Sequence, residues 1–456
     1  MAVIDTHVLV LGGGPGGYVA AIRCGQLGLK TTLIDASRLG GTCLTRGCIP
    51  SKALIHAASE YETMAEAAKA PRFGISLSAA PKLDLGATIG WKDGIVDRLS
   101  GGVGMLLKKA GVTVINGHGR FSDAKTCHVG DDVVRAEHVI LAAGSVPVEL
   151  PHLPFGGDII SSTEALALTE LPKNLVVVGA GYIGMELGIA YAKLGAKVTV
   201  VEAQTQILPL YDAKLVEPVK RWADKHGISF HMGANAQAQK GKGLEIKTSD
   251  GKTEVLPADK ILVTVGRKPA TQGWGLEEMS VAMDGRFVKV DDRCATSMKN
   301  VWAIGDLVGE PMLAHKASAQ GEMVAEIIAG HKRRFDPVAI PAICFTEPEI
   351  ISVGQGPDAP DTLHGQFPLA ANGRALSMQA GDDGGFIRVV ARRSDHRIIG
   401  IQAVGRHISE LSAAFTNLIE MGAVLEDVAG IIHAHPTVGE CLHEACLKAL
   451  GHAIHI

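Results

Sequence analysis

The sequence has no excess of charge of either sign. Its formal net charge is −4 over 456 residues, without a polybasic run or an acidic tail. Binding to nucleic acid or to an anionic membrane surface draws on clustered Lys and Arg, so no nucleic acid and no membrane is expected as partner, and a small soluble ligand is. The apolar opening "MAVIDTHVLVLGGGPGG" is too short to span a bilayer and has neither a basic leader nor a cleavage site. It is expected to be a buried strand of a cytoplasmic protein. A cysteine framework is also missing. The eight cysteines (Cys24, Cys43, Cys48, Cys127, Cys294, Cys344, Cys441 and Cys446) are scattered and do not read as a secreted disulfide scaffold. In a reducing compartment a paired cysteine points instead to redox catalysis or metal binding, and the unpaired ones default to buried thiols.

What is plentiful is apolar residue, 46% of the chain, and glycine, with 55 residues or about 12% against a usual ~7%. The first supports two to four domains with large cores. Much of the second lies in loops of one kind. In "HVLVLGGGPGGYVAAIRCGQLGLKTTLID", an apolar run, a glycine cluster, a helix-like stretch and a second apolar run end in an acid. Gly12, Gly14 and Gly17 fit G-x-G-x-x-G. Glycine there permits a tight turn, close approach of a pyrophosphate to a helix N-terminus, and close helix–strand packing, while Asp35 is placed to accept from a ribose.

The pattern returns in "NLVVVGAGYIGMELGIAYAKLGAKVTVVEA" with Gly179, Gly181 and Gly184, and Glu202 lies 23 residues after Gly179, as Asp35 lies 23 after Gly12. Each copy leads on to an apolar strand ending in G-x-x-P, with Gly144 and Pro147 in the first and Gly266 and Pro269 in the second. The repeat predicts an α/β protein with two Rossmann-like dinucleotide-binding domains in series, joined near "ELPHLPFGG". Two dinucleotides in one chain imply electron transfer between a permanently held FAD and an exchanging nicotinamide nucleotide. The carboxylate of Glu202, with no Arg beside it in "VVEAQTQ", favours NAD over NADP, because it would repel a 2′-phosphate.

Just past the first acid, "GGTCLTRGCIPSKALIH" holds Cys43 and Cys48 five residues apart. On a regular helix such residues point about 140° away from each other. If the sulfurs pair, the backbone between them must be distorted. Gly40, Gly41 and Gly47 permit the distortion that brings the Cβ atoms to the ~3.8 Å a disulfide needs, Pro50 limits regular helix directly after, and Lys52 is an available cation. A dithiol–disulfide couple beside a flavin would complete a relay to NAD.

Thiol–disulfide exchange also needs a proton acceptor, a role suited to histidine. Of the 18 histidines, five lie in "IIHAHPTVGECLHEACLKALGHAIHI". There His435 precedes Pro436, and Glu440 follows five residues on, a candidate base with a carboxylate to orient it. A metal reading of His433, His435, Cys441, His443 and Cys446 is set aside. Their spacing offers no clean ligand pair, and the last three fall on an expected helix that scatters them around its axis.

With these motifs in place, the sequence resembles the pyridine nucleotide-disulfide oxidoreductases, and within them the dihydrolipoyl dehydrogenase branch, from the first strand to the last residue. "GGTCLTRGCIPSKALIH" resembles the redox-disulfide segment, "GAGYIGMELG" the NAD loop, "VWAIGDLVGEPMLAHKASAQGEMVAEIIAG" the second flavin contact and "HAHPTVGE" the active-site base. "FTEPEI" and the "ALGHAIHI" ending are similar to the form serving the branched-chain 2-oxo acid dehydrogenase complex.

The resemblance implies an FAD domain (1–150), an NAD domain (151–272), a central domain packing on the FAD domain (273–340) and an α+β interface domain (341–456) that forms a homodimer. It also implies that His435 and Glu440 reach the disulfide of the other subunit. Cys43 would be the interchange thiol and Cys48 the sulfur facing the flavin. Lys52 would sit by flavin N5 with Glu186 as its partner. Asp306 would bind the ribityl chain, Ala314 would approach the ring, and Thr42, Gly144 and Gly266 would be further cofactor contacts, with Tyr182 a candidate shield of the flavin. The implied activity is oxidation of protein-bound dihydrolipoamide by NAD+. No lipoyl-type domain or Ala-Pro linker is legible at the N-terminus, so the lipoyl group is expected on an acyltransferase subunit of a 2-oxo acid dehydrogenase complex.

Three positions depart from the family pattern. Thr45 and Arg46 stand where Asn-Val or Asn-Ile is usual, "AAGS" replaces Ala-Thr-Gly, and Asp35 replaces a Glu; none removes a reacting group. The rival readings are other disulfide reductases of the family, or a flavoprotein docking subunit with an idle redox pair. Glutathione and trypanothione reductases use NADPH, against Glu202. Mercuric and high-molecular-weight thioredoxin reductases add a C-terminal thiol pair where this chain has "HAIHI".

Overall fold

The computed structural model describes residues 2–456. Its first unit is built from β1 (Val3–Leu11), α1 (Pro15–Gln26), β2 (Thr31–Asp35), α2 (Gly41–Arg46), α3 (Cys48–Lys69), α4 (Leu85–Lys109), β3 (Thr113–Asn116), β4 (Gly119–Phe121), β5 (Thr126–Val129) and β6 (Asp132–Leu141). Val8 to Leu11 of β1 and all of β2 are buried, as expected of parallel strands covered on both faces. The strand order is β3-β2-β1-β6-β5-β4, with β1 parallel to both β2 and β6. The chain leaves β1 toward β2 on one side while β6 lies on the other. This opens a crevice beyond the carboxyl ends of β1 and β6, where a doubly wound sheet binds its ligand.

Between β2 and β3 the chain makes the break that the two cysteines require. Helix α2 ends at Gly47, whose φ of −145° and ψ of −107° are not helical, and α3 starts at Cys48. Pro50 does not limit the helix that follows, contrary to the sequence-based expectation, and α3 runs 22 residues through it. Pro50 falls in the first turn, where its missing N–H would have no intrahelical partner in any case.

The second unit repeats the first. After β7 (Ser145–Pro147) come β8 (Ile159–Ile160), α5 (Ser162–Ala165), β9 (Asn174–Val178), α6 (Tyr182–Lys193), β10 (Lys197–Glu202), α7 (Ala213–Lys225) and β11 (Ser229–Met232). An antiparallel meander of β12 (Asn235–Gln239), β13 (Gly243–Lys247) and β14 (Thr253–Pro257) leads to β15 (Lys260–Val263) and β16 (Arg267–Pro269). The sheet order is β11-β10-β9-β15-β8, parallel throughout. Helices α1 and α6, which follow the two glycine turns, are both 12 residues long. The two G-x-x-P segments pair with each other: β7 and β16 form an antiparallel ribbon with Arg267 opposite Pro147 and Pro269 opposite Ser145.

The chain then returns to the first unit. Past the small hairpin β17 (Met283–Asp284) and β18 (Phe287–Val288), β19 (Val301–Ala303) joins β6 in parallel, and α8 (Ala314–Ile328) lies on α1. The helices approach so closely that a Cβ on Gly321 would sit 2.3 Å from the Gly16 carbonyl oxygen.

The last unit is α+β. Its antiparallel sheet has the order β20 (Ala342–Cys344), β21 (Glu349–Gly354), β24 (Ile398–Gly405), β23 (Phe386–Arg392), β22 (Thr362–Pro368). With it come α9 (Gly373–Ser377), α10 (Ser412–Glu420), α11 (Leu425–Gly430) and α12 (Glu440–Ala449). Cys441 and Cys446 are fully buried in the core of this unit. Among the described residues, no helix is long and apolar enough to cross a membrane.

Candidate active site

Both glycine turns close in the same way. Gly12 has φ +101°, and a Cβ there would meet the Ala142 carbonyl oxygen at 2.3 Å; Gly179 has φ +99° and would meet the Thr264 carbonyl oxygen at 2.7 Å. A Cβ on Gly17 would lie 1.7 Å from Gly12 O, and one on Gly184 would lie 2.1 Å from Gly179 O. The middle glycines differ: Gly14 has no neighbour nearer than 3.8 Å, and Gly181 none within 4 Å. Both are N-caps without a side-chain cap, so the first amides of α1 and α6 stay free. Uncapped N–H groups at a positive helix end, facing a cradle kept open by a missing Cβ, fit the pyrophosphate of a dinucleotide in both units.

The two acids serve their turns directly. Asp35 accepts hydrogen bonds from the backbone N–H of Gly13 and, at 2.6 Å, of Ser37. Glu202 accepts from Ala180 N at 2.6 Å and Gln204 N at 2.8 Å. Each carboxylate therefore braces its glycine turn and keeps lone pairs for a ribose.

A cavity of about 690 Å³ runs from the first turn into the seam between the two nucleotide units. That volume is within the range of cofactor sites. Gly12, Gly14, Asp35, Thr42 and Gly144 line one stretch of it, and Asp306 and Ala314 another. Ala314 opens α8, a third helix N-terminus without a side-chain cap. Gly17 lies behind the turn, and the second glycine turn, Glu202 and Gly266 lie outside this cavity.

Cys43 and Cys48 both line the cavity, one on each side of the break at Gly47. They are free thiols close enough to share a hydrogen bond. The Cys43 S–H donates to Cys48, which raises the Cys43 pKa; burial adds to the rise. The same bond lowers Cys48 to about 7, with burial opposing and the Lys52 ammonium assisting. The pair thus keeps one proton on Cys43 and, above about pH 7, a thiolate on Cys48. Arg46 lines the same wall, and its charge bears on Arg267.

Lys52 Nζ lies 2.8 Å from Glu186 Oε2 and 4.4 Å from the centre of the Phe345 ring. The other oxygen of Glu186 accepts from Phe345 N at 2.9 Å. Burial alone would lower the Lys52 pKa; Glu186 more than offsets it and the pKa is raised. Beside this pair stands Tyr182 of α6, its hydroxyl pKa raised by burial and then by Glu186. A second group crosses the β7–β16 ribbon. Arg267 donates to Ser145 Oγ at 2.8 Å and to Ser145 O at 2.7 Å, and Ser145 Oγ donates to Asp306 Oδ2 at 2.5 Å.

His435 and Glu440 pair as their spacing suggested, Nδ1 to Oε1 at 2.9 Å. Glu440 Oε2 accepts from Thr437 N at 2.8 Å; that bond first, and His435 after it, hold its pKa below the usual carboxylate range. The dyad is not part of the cavity. It lies on the C-terminal unit with the His435 side chain 81% exposed, three residues after Ile432, which is 98% exposed. Within one chain the structure brings the thiols, Lys52 and Glu186 together and leaves the candidate base apart from them.

Sequence reasoning missed Arg267 and Ser145. Both sit in the two G-x-x-P segments, so the repeat was the available signal, but nothing in either segment says that the two pair with each other.

The family model described as Pyridine nucleotide-disulphide oxidoreductase matches residues 6–321, and the one described as its dimerisation domain matches residues 340–446. The chain is 55% identical over 464 residues to a dihydrolipoyl dehydrogenase of Pseudomonas aeruginosa, covering 100% of this chain and 99% of that protein. It is 45% identical over 468 residues to dihydrolipoyl dehydrogenase 2 of Haloarcula marismortui, covering 99% and 98%. Among solved structures it is similar to LpdA from Mycobacterium tuberculosis, with a TM-score of 0.88 at 27% identity over 97% of this chain and 99% of that one.

Proposed function

The chain belongs to the pyridine nucleotide-disulphide oxidoreductases, in their dihydrolipoyl dehydrogenase branch, and from that premise we propose which residues do the work. It is a homodimeric enzyme that reoxidises dihydrolipoamide through a redox-active thiol pair and FAD, with NAD+ as electron acceptor. Cys43 and Cys48 are the pair, and His435 with Glu440 is the base, supplied by the second subunit. One observation carries this reading: the two thiols face each other across a helix break, on the wall of a dinucleotide-sized cavity and beside the Lys52–Glu186 pair. The exposure of His435 on a unit that matches a dimerisation domain supports its reaching a site on the other subunit.

The steps follow from the groups present. With the pair as a disulfide, His435 Nε2 takes a proton from one substrate thiol while Glu440, on Nδ1, stabilises the imidazolium. The thiolate attacks Cys43 Sγ, a mixed disulfide forms, and Cys48 leaves as a thiolate. The second substrate thiol loses its proton to solvent and attacks the substrate sulfur bound to Cys43. The cyclic disulfide departs, and Cys43 takes the proton held by His435. What remains is a Cys43 thiol donating to a Cys48 thiolate, the state that the hydrogen bond and the Lys52 charge favour. FAD, when bound, supplies the two-electron carrier between this thiol pair and NAD+. Gly12, Gly14, Gly17, Asp35, Thr42, Gly144, Asp306 and Ala314 would hold FAD, and Gly179, Gly181, Gly184, Glu202 and Gly266 would hold NAD+.

In this reading the chain divides into FAD (1–150), NAD (151–272), central (273–340) and interface (341–456) domains. It works in the cytoplasm on lipoyl groups carried by the acyltransferase subunits of a 2-oxo acid dehydrogenase complex. The test is anaerobic stopped-flow reduction of the FAD-loaded protein with dihydrolipoamide. A long-wavelength thiolate–flavin band is expected to appear on reduction of the wild type, together with ping-pong turnover; turnover and the reduction-driven appearance of the band should be lost in Cys43→Ser, and the band altogether in Cys48→Ser. Normal turnover by Cys43→Ser would reject the assignment, and a wild type that dihydrolipoamide does not reduce would favour an idle docking subunit.

A further inference from the structure

Away from the cavity, three side chains that the redox reaction does not use converge on the two central strands of the first sheet. His7 stands on β1, and Glu137 and His138 on β6, where Val8 is in register with His138. One donor atom from each lies within 4.8 Å of the other two. His7 Nε2 is 3.6 Å from Glu137 Oε2, and the two imidazoles meet edge to face with centroids 5.0 Å apart. The His138 ring is already oriented, since it stacks on Trp302 of β19 at 5.2 Å.

Its Nδ1 is buried and has no hydrogen-bond partner, although buried polar atoms are normally paired. The other two such atoms among the described residues, Arg23 Nε and Arg388 Nη2, sit on guanidinium groups that are otherwise bonded, to Glu326 and to Gln402 and Asp212.

We propose that His7, Glu137 and His138 form a binding site for a first-row divalent cation of the Zn2+ type, clamping β1 to β6. Two imidazoles and one carboxylate suit zinc, which binds such donors at about 2.0–2.2 Å with water in the remaining position. A tetrahedral shell places neighbouring donors about 3.4 Å apart. The His7–Glu137 separation is already near that value, so a modest rotation of the exposed Glu137 and the partly exposed His7 brings their donors to the fixed His138 ring. Lys125 is the cation nearby, but its Nζ is spent on the carbonyl oxygens of Glu137 and Asn300, at 2.8 Å each. The other grouping of this kind, Glu62, Glu66 and His226, is different. There the Lys193 ammonium sits 3.4 Å from Glu62 and supplies the positive charge itself.

The thiol pair is a second possible zinc ligand, so the experiment removes it. Zn2+ is titrated calorimetrically into untagged, FAD-loaded protein carrying Cys43→Ser and Cys48→Ser, with and without His7→Ala or Glu137→Gln, and the melting temperature is recorded with and without Zn2+. One equivalent should bind in the thiol-free protein and raise its melting temperature. His7→Ala should weaken that binding at least tenfold and abolish the thermal shift, with Glu137→Gln acting in the same direction. In the wild-type thiol background, His7→Ala should leave dihydrolipoamide turnover unchanged. Zn2+ binding that vanishes with the two thiols, or that is as tight in His7→Ala as without it, would overturn the proposal.

Discussion

Lys52 and Glu186 face each other across the seam between the two nucleotide units, Nζ to Oε2 at 2.8 Å, with Glu186 nearly fully buried and Lys52 about one-third exposed. They come from α3 and α6, 134 residues apart in the chain. The pair joins the helix that begins at Cys48 to the helix that follows the second glycine turn. Lys52→Met should leave the Glu186 carboxylate buried without its cation and cost about 2 kcal/mol in urea denaturation, less than a fully buried pair because Lys52 is partly solvated. The pairing raises the Lys52 pKa, so its contribution is complete below the ordinary lysine range and is lost only as pH climbs through the raised value. The penalty should therefore be constant across neutral pH. A Lys52→Met protein as stable as the wild type would contradict this account of the seam.

The reduced thiol pair should release its first proton at about pH 7, because Cys43 donates to the Cys48 thiolate and Lys52 favours its charge. Above that pH the thiolate predominates; below it both sulfurs are protonated. Ultraviolet thiolate absorbance of the reduced apoprotein, followed against pH, measures it. Cys43→Ala removes the donor and should move the transition to higher pH, since burial is then opposed only by Lys52 and the Cys48 backbone N–H. Glu186→Gln should move it lower, because the Glu186 charge raises the Cys48 pKa. An unchanged midpoint in Cys43→Ala would show that the hydrogen bond does not set the thiolate.

His435→Ala should lower dihydrolipoamide-dependent NADH formation by roughly 10²–10⁴-fold, the usual worth of a positioned general base. Reduction of an artificial acceptor by NADH bypasses the substrate thiol and should be unaffected. Glu440→Ala should cost less, since it orients the base and does not itself move a proton. Equal losses in both assays would instead point to damage of the C-terminal unit, where Glu440 also accepts from Thr437 N.

The glycine turns separate the two nucleotide sites. Gly17→Ala would drive a Cβ to 1.7 Å from Gly12 O and should yield protein that does not retain flavin. Gly184→Ala, whose Cβ would lie 2.1 Å from Gly179 O, should purify with its flavin but raise the KM for NAD+ at least about tenfold, equivalent to 1.4 kcal/mol of lost binding. Bound flavin per chain and NAD+ kinetics decide between these outcomes. Loss of flavin in Gly184→Ala would deny that the two turns serve separate nucleotides.

The sequence was legible where chemistry is written locally. A glycine that needs φ near +100°, an acid ending the next strand, and two thiols flanking Gly47 each leave their mark within 30 residues, and the repetition of the first two makes the assignment strong. It misled at Pro50, because the same residue breaks a helix interior and suits a first turn, and only the position of the break at Gly47 decides which applies. Arg267 and Ser145 were illegible because their meeting depends on two G-x-x-P segments about 120 residues apart pairing as a ribbon.

Local spacing thus pointed to the two nucleotide folds and, joined to the family resemblance, to the thiol pair and the His435–Glu440 dyad, since each is held by backbone geometry and near neighbours in the chain. The tertiary structure decided which groups act on one another. Lys52 meets Glu186, Arg267 meets Ser145 and Asp306, and His7 meets His138 only because strands and helices distant in sequence pack together. Charges and hydrogen bonds depend on distance through space, and an amino-acid string carries that distance only once its cores have closed.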